Sequence, residues 1–351
     1  MSRVFQLVPF LERGDAIGGH ARNLAGVFGP SHGGFVVQRA APELAAGTVR
    51  YEDAVVAPTD VLVYHAAHAS PLGTWVAGVD AVKVVDYHGI TPPEFVRAYD
   101  PGLAVALAQA RSELEALAGQ ADLAIAHSVY MERELQEMGF VTTATLPLLV
   151  DPARLSGPAD ESVMARLRAG KRGHDLLFVS RLAPNKRIED LVKVFAIYRR
   201  AWCREARLFV VGRPDTGAYA ETLRRFVERL GVEEVHFAGR VGDAELSAYY
   251  RCADAFVSMS EHEGFGLPWI EAMSFGVPVL AYAAGALPET IGDAGILFSD
   301  ICYEEVAALI DAVLGDEALR ARLAAAGRLR AAAFGPLAFE ARVRELFGSL
   351  A

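Results

Sequence analysis

The chain has 351 residues, of which 52% are hydrophobic and 22% are charged, and its formal net charge is −10. This length suits two domains of ordinary size better than one. The acidic balance argues against a nucleic-acid-binding protein, which usually presents a basic field. The three cysteines, Cys203, Cys252 and Cys302, are far apart in the sequence, and such sparse usage is typical of a reducing compartment.

Short apolar runs alternate with helical patterns along the whole chain. Predicted strands cover residues 4–10, 35–38, 60–65, 83–88 and 122–127, and then 175–181, 207–212, 235–238, 254–259 and 278–282. Predicted helices between them include residues 102–118, 188–202, 218–230 and 243–251. The strands are continuous apolar runs, which is typical of parallel strands covered by helices on both faces. The alternating order therefore predicts an α/β protein.

A break in the pattern between residues 147 and 175 divides the chain. It contains Pro147, Pro152, Gly157 and Pro158, and it predicts a linker. We therefore expect a first doubly wound, Rossmann-like domain over residues 1–155 and a second over residues 156–335. A final helix over 336–351 is expected to return to the first domain. Ligands meet such sheets at the carboxyl ends of their strands, which predicts a ligand in a cleft between two facing domains.

Two cations follow the first predicted strand of the second half. Arg181 and Lys186 are five residues apart on a turn before a helix. Arg offers a planar fork to phosphate oxygens and Lys a point charge, so the two can converge on one anion. Two ordinary surface cations would give the same pattern, and this motif alone leaves both interpretations open.

Two carboxylates flank a glycine-containing turn after the predicted strand at 254–259. Glu263 precedes Gly264, Phe265, Gly266, Leu267 and Pro268, and Glu271 follows one helical turn later. Glycines allow a ligand close to the backbone, and free N–H groups at a helix start favour an anion. The alternative is a structural turn with one incidental acid. The combination predicts a polar ligand held by two carboxylates at different depths.

These motifs resemble the retaining nucleotide-sugar glycosyltransferases of glycosyltransferase family 4 (group 1), which have the two-domain GT-B fold. The segment from Ala284 to Glu289 is similar to that family as well. The resemblance implies that Arg181 and Lys186 bind the donor diphosphate and that Glu271 binds the ribose hydroxyls. It implies that Glu263 contacts the sugar, beside the backbone of residues 264–267, and that Arg240 and Val241 lie near the base.

The first half carries the resemblance less specifically. The segment from Gly14 to His20 follows the first strand and opens a helix. In the family the loop at this place closes over the donor phosphates and the acceptor, which implies donor contacts for Gly18 and Gly19. A dinucleotide-binding fingerprint is the competing interpretation, but Gly-x-Gly-x-x-Gly is absent. At the end of a predicted strand, His88 begins a segment similar to a "His-Asn-Ile-Thr-Pro" motif, with Gly89 in place of Asn. The resemblance implies a catalytic place for His88 near the donor sugar.

Other histidines leave their roles open. His65 and His68 end the preceding strand and could line the acceptor side or be structural. No HExxH pattern is present, so the sequence predicts no metal site. We expect no cofactor beyond the donor substrate.

The sequence thus predicts a hexosyltransferase. It would use Arg181, Lys186, Glu263 and His88 to move a sugar from a UDP- or GDP-sugar to a hydroxyl of a glycan, lipid-linked or small-molecule acceptor. Its expected role is in polysaccharide biosynthesis. The alternatives are a non-catalytic nucleotide-sugar-binding protein and a GT-B sugar phosphorylase or epimerase.

The sequence also predicts where the protein acts. It shows neither a signal-peptide pattern nor an apolar run of about 18 residues, so we expect a cytoplasmic protein that does not bind nucleic acid. Two clusters of basic residues leave weak peripheral contact with the inner face of the membrane open.

Overall fold

The computed structural model describes residues 2–12, 15–151, 154–155 and 157–348. The chain splits into two compact units. Unit 1 comprises Met1–Arg97, Pro101–Leu149 and Pro336–Ala351, and unit 2 comprises Ala98–Asp100 and Val150–Gly335. The division thus falls between Leu149 and Val150, whereas the sequence pattern placed it between residues 155 and 156.

Unit 1 is a seven-stranded, fully parallel sheet in the order β3-β2-β1-β4-β5-β6-β7. Its strands are β1 Val4–Leu11, β2 His32–Ala40, β3 Thr48–Arg50, β4 Val61–Ala66, β5 Val82–Tyr87, β6 Leu123–Ala126 and β7 Thr143–Thr145. Its helices are α1 Ala16–Phe28, α2 Pro71–Gly78, α3 Pro93–Val96, α4 Pro101–Glu115, α5 Val129–Glu137 and α14 Pro336–Gly348. The order reverses between β1 and β4, as in doubly wound sheets.

Unit 2 is a six-stranded, fully parallel sheet in the order β10-β9-β8-β11-β12-β13. Its strands are β8 Asp175–Val179, β9 Arg207–Val211, β10 Val235–Gly239, β11 Ala255–Ser258, β12 Val279–Tyr282 and β13 Ile296–Phe298. Its helices are α6 Glu161–Ala169, α7 Ile188–Ala201, α8 Gly217–Leu230, α9 Asp243–Cys252, α10 Leu267–Ser274, α11 Leu287–Ile291, α12 Tyr303–Gly315 and α13 Glu317–Ala332. The order reverses between β8 and β11.

The α/β class with two doubly wound parallel sheets is confirmed. The central strands are buried on both faces; β9, for example, has no exposed residue. Three strands escaped the sequence pattern, β3, β7 and β13, and each is a three-residue strand at the edge of its sheet.

The last described helix belongs to unit 1. Phe339 and Val343 of α14 join a core cluster with Leu24 of α1 and strand residues of the sheet. Phe347 meets Phe28 edge-on, with 4.9 Å between ring centroids. The chain therefore returns to its first unit through this helix. None of the helices in the described segments combines the length and hydropathy that crossing a membrane requires.

Candidate active site

The predicted donor residues of unit 2 gather at the point where its strand order reverses. The loops after β8 and β11 start side by side, because these two strands are neighbours in the sheet. The first loop carries Arg181 and Lys186, and the second carries Glu263. Such a switch point is where open α/β sheets bind their ligands.

Lys186 lies at the end of a short 3-10 turn, Pro184–Lys186, and its side chain is buried. Its ammonium lies 2.7 Å from Glu263 Oε1 and donates to the His262 carbonyl at 3.2 Å. Burial lowers the pKa of Lys186, and the carboxylate of Glu263 opposes that shift. Lys186 and Glu263 therefore form a buried ion pair between the two loops.

Asn185 ties the same two loops together through their backbones. Its carbonyl accepts from the Glu261 N–H at 2.9 Å, and its side-chain amide donates to the His262 carbonyl at 3.1 Å. The sequence motif contained Asn185, but no role was assigned to it. Its partners lie some 76 residues away in the sequence, and only the sheet order brings them near.

Arg181 stands at the open side of this site, with about half of its side chain exposed. Its guanidinium donates to Asp215 Oδ2 at 2.7 Å. Asp215 lies on the loop after β9, the strand on the other side of β8. Asp215 was not singled out from the sequence. Its carboxylate orients the guanidinium of Arg181, which was predicted.

Glycine is required at two places around Glu263. Gly266 has φ 92°, in the left-handed region, and forms the N-cap of α10. Gly285 has φ 57°, and a Cβ there would lie 2.5 Å from the Glu263 carbonyl oxygen. The neighbouring Ala286 N–H donates to that oxygen at 2.9 Å. The segment from Ala284 to Glu289 therefore packs against the Glu263 backbone and fixes its position.

The residues that follow Glu263 divide between the interior and the surface. Phe265 is buried and meets Phe334 edge-on at 5.2 Å between centroids, whereas Gly264 and Leu267 are half-buried. Phe265 thus anchors the loop by its ring, and only its backbone is available to a ligand.

Glu271 is buried inside α10 and already has two side-chain partners. Arg154 donates to one carboxylate oxygen, and the Tyr250 hydroxyl donates to the other at 2.9 Å. Burial raises the pKa of Glu271, while Arg154 opposes the shift. The ribose contact expected of Glu271 stays a prediction, as do the base contacts of Arg240 and Val241. These two residues follow β10; Arg240 is exposed and Val241 is half-buried.

In unit 1, the glycines expected near the donor phosphates lie at the start of a helix. The helix α1 begins at Ala16, so Gly18 and Gly19 occupy its first turn. The Asp15 carboxylate caps this turn by accepting from the Gly18 N–H at 3.0 Å. Gly14 lies outside the described residues. The described part of this segment opens a helix, as the sequence predicted, and the donor contacts expected of Gly18 and Gly19 stay a prediction.

A group of four histidines surrounds one carboxylate at the carboxyl ends of β4, β5 and β6. Asp86 is fully buried, with His20 Nε2 at 3.0 Å, His65 Nδ1 at 3.3 Å and His127 Nε2 at 3.5 Å. Burial lowers the pKa of His65 to about 3 and that of His127 to about 4. Burial alone would raise the pKa of Asp86, but the surrounding imidazoles lower it well below its usual range.

His88 is bound on both sides within this group. Its Nε2 lies 2.9 Å from His65 Nδ1, and its Nδ1 lies 3.1 Å from His127 Nε2. Both ring nitrogens are therefore engaged by other imidazoles, and the catalytic role expected of His88 stays a prediction. The exposed His68, by contrast, lies outside the group. The sequence predicted no metal site, yet His65, Asp86 and His88 lie close enough to hold an ion.

The backbone explains why Gly89 stands where the resembling motif has Asn. Gly89 has φ 78°, and Gly and Asn are the residues that adopt this left-handed conformation most readily. A Cβ at this position would come no closer than 3.4 Å to Met131. The shared requirement at this position is therefore a backbone conformation.

Comparison with known proteins adds the family. Residues 160–330 match the model of the glycosyl transferases group 1. The match covers just under half of the chain, and these residues are similar to a group 1 glycosyltransferase domain. The matched segment lies within unit 2 and contains Arg181, Lys186, Glu263 and Glu271.

Relatives and solved structures extend the likeness. A D-inositol 3-phosphate glycosyltransferase of Kineococcus radiotolerans is 32% identical over 235 residues, which are 61% of this chain and 54% of that protein. A GDP-mannose-dependent alpha-(1-6)-phosphatidylinositol monomannoside mannosyltransferase of Mycobacterium tuberculosis is 32% identical over 188 residues, which are 51% of this chain and 46% of that protein. The chain thus matches about half the length of these relatives. Anabaena HepE, solved with UDP-glucose, shares the fold with a TM-score of 0.78 at 17% identity, covering 99% of this chain and 100% of that one. The architecture is accordingly GT-B.

Proposed function

We propose that the protein is a retaining glycosyltransferase. It moves a hexosyl unit from a UDP- or GDP-sugar to a hydroxyl of a glycan, lipid-linked or small-molecule acceptor. The observation that carries the proposal is the buried Lys186–Glu263 pair, at 2.7 Å, where the strand order of unit 2 reverses. Relatives named as glycosyltransferases support it.

The proposed chemistry follows from charge. Breaking the bond between the anomeric carbon and a phosphate oxygen leaves negative charge on the departing diphosphate. Cations and N–H groups held in place before the reaction stabilise that charge most effectively. Lys186 is held by Glu263 and Arg181 by Asp215, and the N–H groups at the start of α10 add to them. Each hydrogen bond to a charged group contributes about 1.5–3 kcal/mol.

The remaining donor contacts complete the proposal. Glu263 contacts the sugar beside the backbone of Gly264 to Leu267, and Glu271 the ribose, which requires that Arg154 yield or share an oxygen. Arg240 and Val241 lie against the base, and Gly18 and Gly19 of unit 1 against the donor phosphates. The donor site as proposed needs no resident cofactor. We place the reaction in the cytoplasm, with an acceptor in solution or at the inner face of the membrane.

The test begins with the donor. Related proteins are named with UDP-glucose and with GDP-mannose, so a thermal-shift screen should include UDP-, GDP-, ADP- and dTDP-sugars. A selective donor raises the melting temperature by mass action. Mass spectrometry then detects transfer to acceptor mixtures. Donor binding without transfer to any acceptor would favour a non-catalytic binding protein, and a requirement for free phosphate would favour a phosphorylase.

Retention of the anomeric configuration is tested by a separate measurement. NMR of the product gives the anomeric configuration of the new bond. We expect the configuration of the donor to be preserved, and an inverted product would refute this part of the proposal while leaving sugar transfer intact.

A further inference from the structure

Three side chains of unit 1 turn lone-pair atoms toward one another in the interior, and one of them is His88, the residue expected near the donor sugar. His65 Nδ1 lies 2.9 Å from His88 Nε2, and Asp86 Oδ2 lies 3.3 Å from the first and 3.8 Å from the second. The side chains of His65 and Asp86 are fully buried, and that of His88 is 6% exposed. Both oxygens of Asp86 are buried, and Oδ2 also lies 3.0 Å from His20 Nε2.

The sheet itself brings these atoms together. His65 and Asp86 are paired residues on the adjacent parallel strands β4 and β5, so their side chains lie side by side on one face. His88 follows Asp86 by two residues and therefore continues on that same face. The group is thus built on two adjacent inner strands of the sheet.

Hydrogen bonds at one end of the group decide the proton positions on His88. The Leu146 carbonyl lies 3.0 Å from His127 Nδ1, and a carbonyl can only accept, so that nitrogen carries the proton. In a neutral ring His127 Nε2 is then an acceptor. His88 Nδ1, at 3.1 Å, must donate to it. His88 Nε2 is left as a lone pair.

Hydrogen bonds at the other end decide the protons of His65. With the Gln6 amide oriented as it is in the structure, its Oε1 lies 2.7 Å from His65 Nε2 and its own Nε2 has no partner. In this orientation His65 Nε2 carries the proton and donates. His65 Nδ1 is then a lone pair as well. Two neutral imidazoles therefore face each other at 2.9 Å with unprotonated nitrogens, beside a carboxylate. Such an arrangement is repulsive unless a cation lies among the three atoms.

We propose that His65, Asp86 and His88 bind a divalent transition-metal cation of the zinc class. Tetrahedral zinc with ligand bonds of about 2.0–2.1 Å requires ligand atoms about 3.3 Å apart, and the three distances of 2.9, 3.3 and 3.8 Å fall on both sides of that value. Two imidazoles with one carboxylate are a ligand set that zinc accepts. Three protein ligands leave a fourth position for water or another ligand.

The surroundings of the three ligands match those of metal-binding histidines. Such histidines donate their second ring N–H to a fixed acceptor, which sets the tautomer and the ring orientation. His65 donates to Gln6, and His88 donates to His127, which in turn donates to the Leu146 carbonyl. The buried His20 lies beside the group as a further imidazole, with its Nε2 3.0 Å from Asp86 Oδ2.

Metal binding is measured on the full-length protein after treatment with EDTA. Zn²⁺ is titrated against a chromophoric chelator, and Co²⁺ is followed by its visible absorption, which is intense only in tetrahedral sites. We expect one equivalent of Zn²⁺ per chain and a tetrahedral Co²⁺ spectrum. Asp86→Asn and His65→Gln should each bind Zn²⁺ at least ~100-fold more weakly, since each removes a ligand, and Gln6→Leu about 10–100-fold more weakly.

His236→Gln serves as the matched control. His236 is exposed in unit 2, 2.9 Å from Glu234, and its replacement should leave the single equivalent unchanged. If circular dichroism shows that Asp86→Asn or His65→Gln does not fold, the Co²⁺ spectrum of the unaltered protein still decides whether the metal site exists. Absence of Zn²⁺ and Co²⁺ binding would overturn the proposal and assign the contact to a shared proton or to a reversed Gln6 amide. Binding that persists unchanged in both ligand variants would overturn it as well.

Discussion

Lys186 is restricted more tightly than the other cations of the donor site. Its ammonium is buried against Glu263 and the His262 carbonyl, and Asn185 fixes the loop around it. A charge held in this way needs little reorganisation when a diphosphate arrives, and this is the condition under which electrostatic stabilisation is strongest. The packing that holds Lys186 in place is therefore what suits it to the proposed stabilisation of charge.

Removing either cation should therefore reduce catalysis. We expect Lys186→Ala and Arg181→Ala each to lower turnover by ~10²-fold or more, measured as kcat and kcat/KM with the donor found by screening. Arg224→Ala, an exposed cation on α8, is the control and should be neutral. Near-normal kcat/KM in both variants would refute the assignment.

Lys186→Ala should also destabilise the protein, because it leaves the buried Glu263 without its partner. Breaking a buried pair from one side costs about 3–5 kcal/mol. The double variant Lys186→Ala/Glu263→Ala should recover part of this loss, and thermal unfolding measures both. A double variant no more stable than Lys186→Ala would show that the pair itself is not the source of the loss.

Gly285 offers a prediction about backbone space. Its φ of 57° disfavours other residues, and a Cβ would lie 2.5 Å from the carbonyl oxygen and 2.8 Å from the nitrogen of Glu263. Gly285→Ala should therefore displace Glu263 and weaken the binding of UDP or GDP and their sugars by at least ~10-fold in calorimetric titration. Gly217→Ala is the control, because a Cβ there meets no atom within 4 Å. Equal affinities for the two variants would contradict the argument.

The site residues that a sequence can reveal are those carried by one short motif. Arg181, Lys186 and Glu263 were predictable because a strand end, a glycine turn and a helix start lie within a few residues of each. Asp215 and Arg154 were not, since each meets its partner only through the sheet order, 34 and 117 residues away along the chain. The histidine group around Asp86 was missed for the same reason, as its members come from α1, β4, β5 and the end of β6.

At the scale of elements, burial decided which strands could be predicted. Central strands such as β4 and β9 are buried throughout, and most of their residues are apolar because helices cover both faces. The edge strands β3, β7 and β13 have only three residues each, none of them buried. An edge strand gains its conformation from hydrogen bonds to one neighbour and carries little apolar signal, so no periodicity marks it in the sequence.

The starts of β1 and β4 are joined by one titratable group, the carboxyl of Asp60. Asp60 accepts from the Arg3 backbone N–H at 3.0 Å, from its guanidinium at 2.6 Å and from the Ala57 N–H at 2.8 Å. Burial raises the pKa of Asp60, but these hydrogen bonds outweigh it and lower the pKa to about 2. A carboxyl with a depressed folded-state pKa stabilises the protein above its unfolded pKa of about 4, and that contribution is lost as the pH falls toward 2.

Asp60→Asn should accordingly make the stability of unit 1 less dependent on pH between about 4 and 2. Urea unfolding at several pH values measures this as a smaller shift of the midpoint than in the unaltered protein. Asp80→Asn is the comparison, since Asp80 is an exposed aspartate, and its pH dependence should match that of the parent. Identical slopes for Asp60→Asn and the parent would contradict the prediction.

At the scale of the whole molecule, the chain crosses between its units more than once. Ala98–Asp100 belongs to unit 2, although it is flanked by unit 1 on both sides, and Pro336–Ala351 belongs to unit 1. Within the first of these segments, Tyr99 meets Tyr219 of α8 edge-on, with 5.1 Å between the ring centroids. The sequence predicted the crossing at Pro336, through the expected return of a final helix over 336–351, but the three residues around Tyr99 carry no composition signal.

The returning helix α14 allows the dependence of unit 1 on the chain terminus to be measured. Val343 is fully buried in the core that Leu24 and the sheet share, whereas Leu337 on the same helix is 85% exposed. Val343→Ala removes two methyl groups from that core and should cost about 2–3 kcal/mol through lost burial and the cavity left behind. Leu337→Ala should change stability by less than about 0.5 kcal/mol. Hydrogen exchange should show faster opening of β1 and β4 in Val343→Ala, while β8 and β11 keep the protection of the parent. Equal acceleration in both sheets would mean instead that the two units unfold as one.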